Sequence, residues 1–194
     1  MNNILVISGS EAGRVYFEDF LNACQYGKVS TADSAGSAAM ALSRGDYDLC
    51  IINSPLPDGS GAELALEAVT RGCCQCLIVA GEEQAGKIRG TVEPSGVFVL
   101  AKPLKRAILW STLKNIAVIH NRLQAMQSQN DSLKQKLEDM QIINRAKALL
   151  ISSLKMPEGQ AHKFIEKQAM ERRMTRAEIA RRIISTYDTN QFEE

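Results

Sequence analysis

The chain has 194 residues, 45% of them hydrophobic, which is enough for ordinary globular cores in one or two domains. No apolar run approaches the roughly 18 to 20 residues that cross a bilayer, and the opening Met1-Asn-Asn-Ile-Leu-Val-Ile-Ser8 starts a strand pattern with no basic stretch ahead of it. A membrane span or secretory signal is set aside, and a cytoplasmic location is expected. The net charge of +1 hides an asymmetry: residues 1–103 carry 7 Lys and Arg against 12 Asp and Glu, a net of −5, whereas residues 104–194 carry 16 against 10, a net of +6.

In chain order, short runs rich in Val, Ile and Leu predict strands at 3–8, 48–53, 76–80 and 97–100, with a weaker one at 28–31. Helical stretches fit 11–24, 35–43, 62–71 and, more briefly, 83–90. Five βα units in about 120 residues make a doubly wound parallel sheet of the flavodoxin-like kind, with its site at the carboxyl ends of the strands. Five cysteines, Cys24, Cys50, Cys73, Cys74 and Cys76, are odd in number and confined to the first half, which is not how a disulfide framework is arranged. Cys73-Cys74-Gln75-Cys76 contains a C-x-x-C spacing, but with no histidine nearby and no second such pair the expectation is free thiols at a helix-to-strand junction, with no metal and no cofactor.

From 104 to about 155 there is no proline or glycine, and strong helix formers dominate, so one helix of about 75 Å is predicted. Read in sevens, Ile116, Leu123, Asn130, Leu137 and Asn144 share one core position, while Ile119, Met126, Leu133 and Met140 share the other. Such a seam predicts a coiled coil, and the single polar Asn130 among apolar positions fixes register in a parallel homodimer that needs no phosphate signal. Beyond it, Pro157 suits the first position of a helix running to about 173, and Thr175-Arg-Ala-Glu178 is a capping box that opens a last helix. The tail from 185 to 194 is polar and expected to fray. Ala146, Leu149, Leu150, Leu154, Phe164, Ile165, Ala169, Ile179, Ala180 and Ile183 are the expected core of this all-α portion, and His120 and His162 are expected on helix surfaces. Between 145 and 182 ten Lys and Arg face four Glu, a net of +6 on a very small module, which suits a phosphate backbone.

Two stretches resemble known families. Asp48-Leu-Cys-Ile-Ile-Asn53-Ser-Pro-Leu-Pro57-Asp-Gly59-Ser-Gly61 and Ala101-Lys102-Pro103 look like the corresponding motifs of response-regulator receivers, over residues 1 to about 120. In such CheY-like receivers an acidic pair after the first strand holds Mg²⁺, an aspartate ending the third strand takes the phosphoryl group, and a Thr or Ser after the fourth contacts it. Here those positions read Ser8-Gly9, Asn53 and Ala80, and the switch aromatic is replaced by Val99. An amide is neither an anionic nucleophile nor a charged ligand for a hard cation, so the resemblance implies a pseudo-receiver. Lys102 survives and is expected to hydrogen-bond Asn53 or backbone carbonyls. Glu11 and Asp58, the remaining nearby acids, are expected beside the pocket, which leaves room for a protein or small-molecule signal there.

Ile143-Asn-Arg145-Ala146-Lys147-Ala-Leu-Leu150, Met156-Pro-Glu-Gly-Gln-Ala161-His-Lys-Phe-Ile165, Gln168-Ala169-Met170 and Ile179-Ala180-Arg-Arg-Ile183-Ile184 resemble the ANTAR domain, a three-helix RNA-binding antitermination module, over about 134–186. The resemblance implies a non-enzymatic antiterminator that binds paired hairpins in mRNA leaders as a dimer. It points to Ala146 and Lys147 as a close-approach and contact pair, with Arg145, Arg172, Arg173 and Arg176 in support; core packing is the equal alternative for Ala146. The expected organisation is a receiver-like domain at 1–120, a coiled-coil linker at 104–145 overlapping its neighbours, the three-helix domain at 134–186 and a flexible tail at 187–194. A DNA-binding regulator of the same general type is the alternative, although no recognition-helix pattern stands out.

Overall fold

The structure is a computed structural model and describes residues 1–71 and 74–189; Cys73 and residues 190–194 lie outside the described residues. It divides into two compact units, Met1–Ala125 and Met126–Glu194.

In the first unit five parallel strands, β1 (Asn3–Ser8), β2 (Lys28–Ala32), β3 (Leu49–Asn53), β4 (Gln75–Gly81) and β5 (Phe98–Lys102), form one sheet in the order β2-β1-β3-β4-β5. They alternate with α1 (Glu11–Ala23), α2 (Ala35–Arg44), α3 (Ala62–Arg71) and α4 (Glu82–Val92), and α5 (Arg106–Leu154) follows β5. Helices on both faces bury the central strands completely, which is why those strands read as continuous apolar runs. Cys50, Ile52, Cys76 and Ile78 leave one face toward Ala38, Leu64 and Ala65 of α2 and α3. Ile51, Leu77 and Val79 leave the other toward Phe17, Phe20 and Leu21 of α1 and Leu109, Leu113 and Ile116 of α5. Helix α4 outruns the expected 83–90 because Val92 is fully buried and anchors one more turn.

The α5 assignments require three corrections. Ile116 is 0% exposed in the receiver-like core, so it cannot belong to an intermolecular seam. His120 is 5% exposed rather than on the surface; its Nε2 lies 3.5 Å from Asp48 Oδ1. Burial works to raise the Asp48 carboxyl, but hydrogen bonds from the Asn2 and Asn3 backbone N–H groups and the nearby His120 outweigh it and hold Asp48 below its ordinary range. Leu154 is exposed rather than core, since the helix ends there and Lys155 turns left-handed at φ 54°.

In the second unit the end of α5 packs with α6 (Glu158–Arg172) and α7 (Arg176–Thr189) around Ala146, Leu150, Ala161, Ile165, Ala169, Ile179, Ala180 and Ile183. Leu149 and Phe164 are half-buried. Pro157 is the N-cap of α6 rather than its first helical residue, one position earlier than expected. Helix α7 continues to Thr189, past the polar onset at Ser185, because Ile184 and Tyr187 still pack on this core.

The capping box forms as read: Thr175 N and Oγ1 donate to Glu178 Oε2 at 2.7 and 2.9 Å, and Glu178 N donates to Thr175 Oγ1 at 3.2 Å. Thr175→Ala should cost about 1 kcal/mol of stability in chemical denaturation. The Thr175 backbone N–H and hydroxyl hold the Glu178 carboxyl below its ordinary range. Its contribution is therefore complete above the unfolded value and lost as pH falls through the lower folded one. Glu178→Gln should accordingly flatten the acid limb of the stability profile measured by denaturation between pH 3 and pH 6, a window set by the ordinary carboxylate range near 4.3.

Candidate functional site

The strand-end pocket is assembled from the positions the sequence singled out. Ser8 and Asn53 end neighbouring strands in register, and Asn53 Nδ2 donates to Ser8 Oγ at 2.9 Å. Ser8 Oγ in turn donates to Ser10 O at 3.2 Å, and Arg14 Nη1 donates to Ser8 O at 2.7 Å. Gly9 is exposed, while Ala80 is fully buried in β4 beside Ala101 of β5. Lys102 Nζ donates to the Ser54 carbonyl at 2.8 Å, the backbone option of the two expected for it, and its partial burial lowers its pKa. The side chains of Asn53, Ser8, Arg14 and Lys102 are each hydrogen-bonded in this network, the last two as cations, while the Ser54 hydroxyl is buried without a hydrogen-bond partner among the described residues. No carboxylate among the described residues enters that network to act as nucleophile or to hold a hard cation.

The two nearby acids do other work. Glu11 occupies the first turn of α1, where an acid suits the helix dipole. Asp58 accepts from Ala35 N at 2.8 Å and Gly36 N at 2.9 Å, so both its oxygens cap α2, and those backbone N–H groups pull its pKa down.

Gly13, which sequence reasoning passed over, backs this network from α1. A Cβ there would meet the Ser8 hydroxyl and lie 2.6 Å from Asn53 Nδ2. Gly→Ala within a helix normally gains about 0.5–1 kcal/mol, but here Gly13→Ala should reverse the sign and destabilise the first unit, read as a lower thermal midpoint.

The cationic residues of the second unit do not converge on one point. Lys147, on α5, is only 20% exposed in its side chain and places Nζ 3.4 Å from Glu158 Oε1 at the first residue of α6. Arg172 is the last residue of that helix, about 21 Å along its axis at 1.5 Å per residue. Arg172 Nε donates to Gln168 Oε1 at 3.1 Å, Arg176 Nη1 lies 3.2 Å from Glu166 Oε1, and Arg145 and Arg173 are exposed. Arg173 caps α6 at φ 53°, a left-handed turn that presents its side chain at the junction with α7. Ala146 is 0% exposed among Leu150, Ala161 and Ile165, so packing accounts for its small size.

A groove between α6 and α7 was not foreseen. Arg172 and Arg182 line it with Gln168, Phe164, Thr186 and Tyr187. The available signal is the spacing of Arg182 and Tyr187 on α7, obscured because Tyr187 falls in a polar stretch. His162 is on the surface as expected, 3.4 Å from Glu166 Oε1. Among the described residues no helix is long and apolar enough to cross a membrane.

Comparison with known proteins agrees with this geometry. The model of the ANTAR domain matches residues 131–184. Solved receivers share the first unit's fold. A two-component response regulator from Clostridium difficile is 24% identical, with a TM-score of 0.52 over 60% of this chain and 96% of its own. The receiver domain of an HD domain-containing protein from Pseudomonas fluorescens Pf-5 is 18% identical, with a TM-score of 0.57 over 64% and 92%. The chain thus has the organisation of a response regulator, a CheY-like receiver fold followed by a carboxyl-terminal ANTAR domain. The chain is also 24% identical to the transcriptional regulatory protein PdtaR of Mycobacterium tuberculosis over 142 residues, 73% of this chain and 69% of that protein. Together these support an RNA-binding antitermination regulator of response-regulator type.

Proposed function

We propose that the chain acts in the cytosol as a dimeric antiterminator that binds tandem hairpins of nascent mRNA leaders, with no phosphorylation step in its activation. The observation that carries this reading is the exposed cationic surface of the second unit, where ten Lys and Arg against four Glu lie between residues 145 and 182 on a bundle with a small closed core. Unpaired loop bases can be read by such a surface, whereas the deep groove of duplex RNA cannot. Arg145, Lys147, Arg172, Arg173 and Arg176 are the proposed contacts, joined by Arg182 and Tyr187 of the groove, and Ala146 supports them from the core.

Dimerisation rests on α5. Every residue from 121 to 138 is exposed, and the apolar positions Ile119, Leu123, Met126, Leu133, Leu137 and Met140 recur in heptads with Asn130 and Asn144 among them. An exposed apolar stripe on an uninterrupted helix is stabilised by pairing with a second copy. The seam proposed here begins at Ile119.

Crosslinking in cells followed by sequencing of bound RNA tests the reading: enrichment of two-hairpin leaders is expected, and preferential recovery of duplex DNA in a competition assay would favour the DNA-binding alternative. Incubation with acetyl phosphate and Mg²⁺ should leave the intact mass unchanged, because Asn53 offers no carboxylate. A gain of one phosphoryl group on the first unit would contradict phosphate independence.

A further inference from the structure

The Cys74-Gln75-Cys76 segment acquires a partner in the fold that its sequence does not show. Cys50 in β3 is in register with Cys76 in β4, so their side chains leave the same face of the sheet. Cys74, two residues before Cys76 where extended chain repeats every second side chain, joins them on that face. The three Sγ atoms all lie within 4.8 Å of one another, Cys50 and Cys74 being 3.4 Å apart, and all three residues are buried. Three sulfurs around one ion at about 2.3 Å must stand about 3.8–4.0 Å from each other, a spacing that lies between the 3.4 Å and 4.8 Å that bound this trio.

We propose that Cys50, Cys74 and Cys76 form a binding site for a thiophilic cation, Zn²⁺, held by three thiolates with a solvent molecule as fourth ligand. Access is through a pocket that Cys74 shares with Tyr47, Asp46, Asp48 and Glu67, whose carboxylates give its walls the sign that draws a cation in. Charge selects the ion. Each coordinating thiol yields its proton, so entry of a divalent cation releases up to three protons and leaves −1 in apolar surroundings, whereas monovalent Cu(I) leaves −2. The site lies at the amino ends of the strands, opposite the Asn53 pocket, and is independent of the RNA-binding assignment.

The test uses the reduced, chelator-treated full chain. Titration with Co²⁺, a coloured stand-in for Zn²⁺, should give a sulfur-to-metal absorption band saturating at one ion per chain and bleached by Zn²⁺. Alkylation followed by mass spectrometry should show Zn²⁺ protecting Cys50, Cys74 and Cys76 and leaving Cys24 reactive. Cys74→Ala, at the pocket wall, should weaken Zn²⁺ binding by at least about 100-fold with an unchanged circular-dichroism spectrum, and Cys24→Ala should not weaken it. The assignment is overturned if no band appears, if protection falls on Cys24 or Cys73, if Cu(I) binds and Zn²⁺ does not, or if Cys74→Ala binds as wild type. Isolation of the chain with a Cys50–Cys74 disulfide and no Co²⁺ band after reduction would likewise overturn it in favour of a redox pair. Should Cys74→Ala fail to fold, the protection pattern of the unmodified chain still decides.

Discussion

Replacing Leu133 and Leu137 with Lys should convert the chain from dimer to monomer in sedimentation at micromolar concentration, and should weaken binding to a two-hairpin RNA by about 100-fold or more. The two side chains are 59% and 61% exposed and contribute nothing to either core, so the substitutions leave the receiver-like unit and the three-helix bundle intact. What they place at the seam is four ammonium groups per pair of helices, each displacing an apolar contact and repelling its counterpart. Affinity for a single hairpin should remain within about twofold of wild type, because linkage of two heads raises apparent affinity without altering either contact surface. An unchanged sedimentation coefficient would defeat the coiled-coil assignment; a monomer that holds two-hairpin RNA as tightly as before would defeat the role given to pairing.

The second large effect concerns the cationic face. Lys147→Ala combined with Arg173→Ala should lower affinity for a single cognate hairpin by at least about 30-fold, taking about 1 kcal/mol or more from each contact. Lost phosphate contacts would also make the dependence on salt shallower, by about 0.7 in log–log slope for each single-strand phosphate released. Neither residue belongs to the core cluster: Lys147 loses its approach to Glu158 and the packing of its largely covered stem, and Arg173 holds its left-handed cap through backbone bonds to Ala169 and Met170 carbonyls. Arg173→Gly separates contact from conformation, since glycine favours the same φ and should retain stability while losing binding. Undiminished hairpin recognition by the double variant, with its melting behaviour intact, would remove these residues from the interface.

Much of this was legible because simple periodicities carry it. The apolar strand runs, the capping box at Thr175 and the Ile179, Ala180, Ile183 stripe each depend on neighbours a few residues away, and each is found where the pattern placed it. Ile116 misled because one helix serves two surfaces. Spacings of three and four satisfy both a heptad seam and a face packed on the sheet, and only the fold distinguishes Ile116 from Ile119 three residues later. His120 was misjudged for the same reason. Gly13, Cys50 and the Arg172–Arg182 groove were invisible for another: each matters through contacts with residues distant in sequence, and no local pattern encodes those. The substituted pocket lay between these extremes. Its residue types, an amide and a hydroxyl, could be read directly, while the Asn53–Ser8 hydrogen bond that joins them had to be seen.

The wholly exposed span of α5 from 121 to 138 has a consequence for control of the proposed dimer. Most helical stability comes from packing of an apolar face, and the face of this span would find its packing only in the event that joins two chains. The active species would then grow with the square of protein abundance at low expression. Synthesis and turnover of the regulator would become its dial, a form of command that needs no kinase.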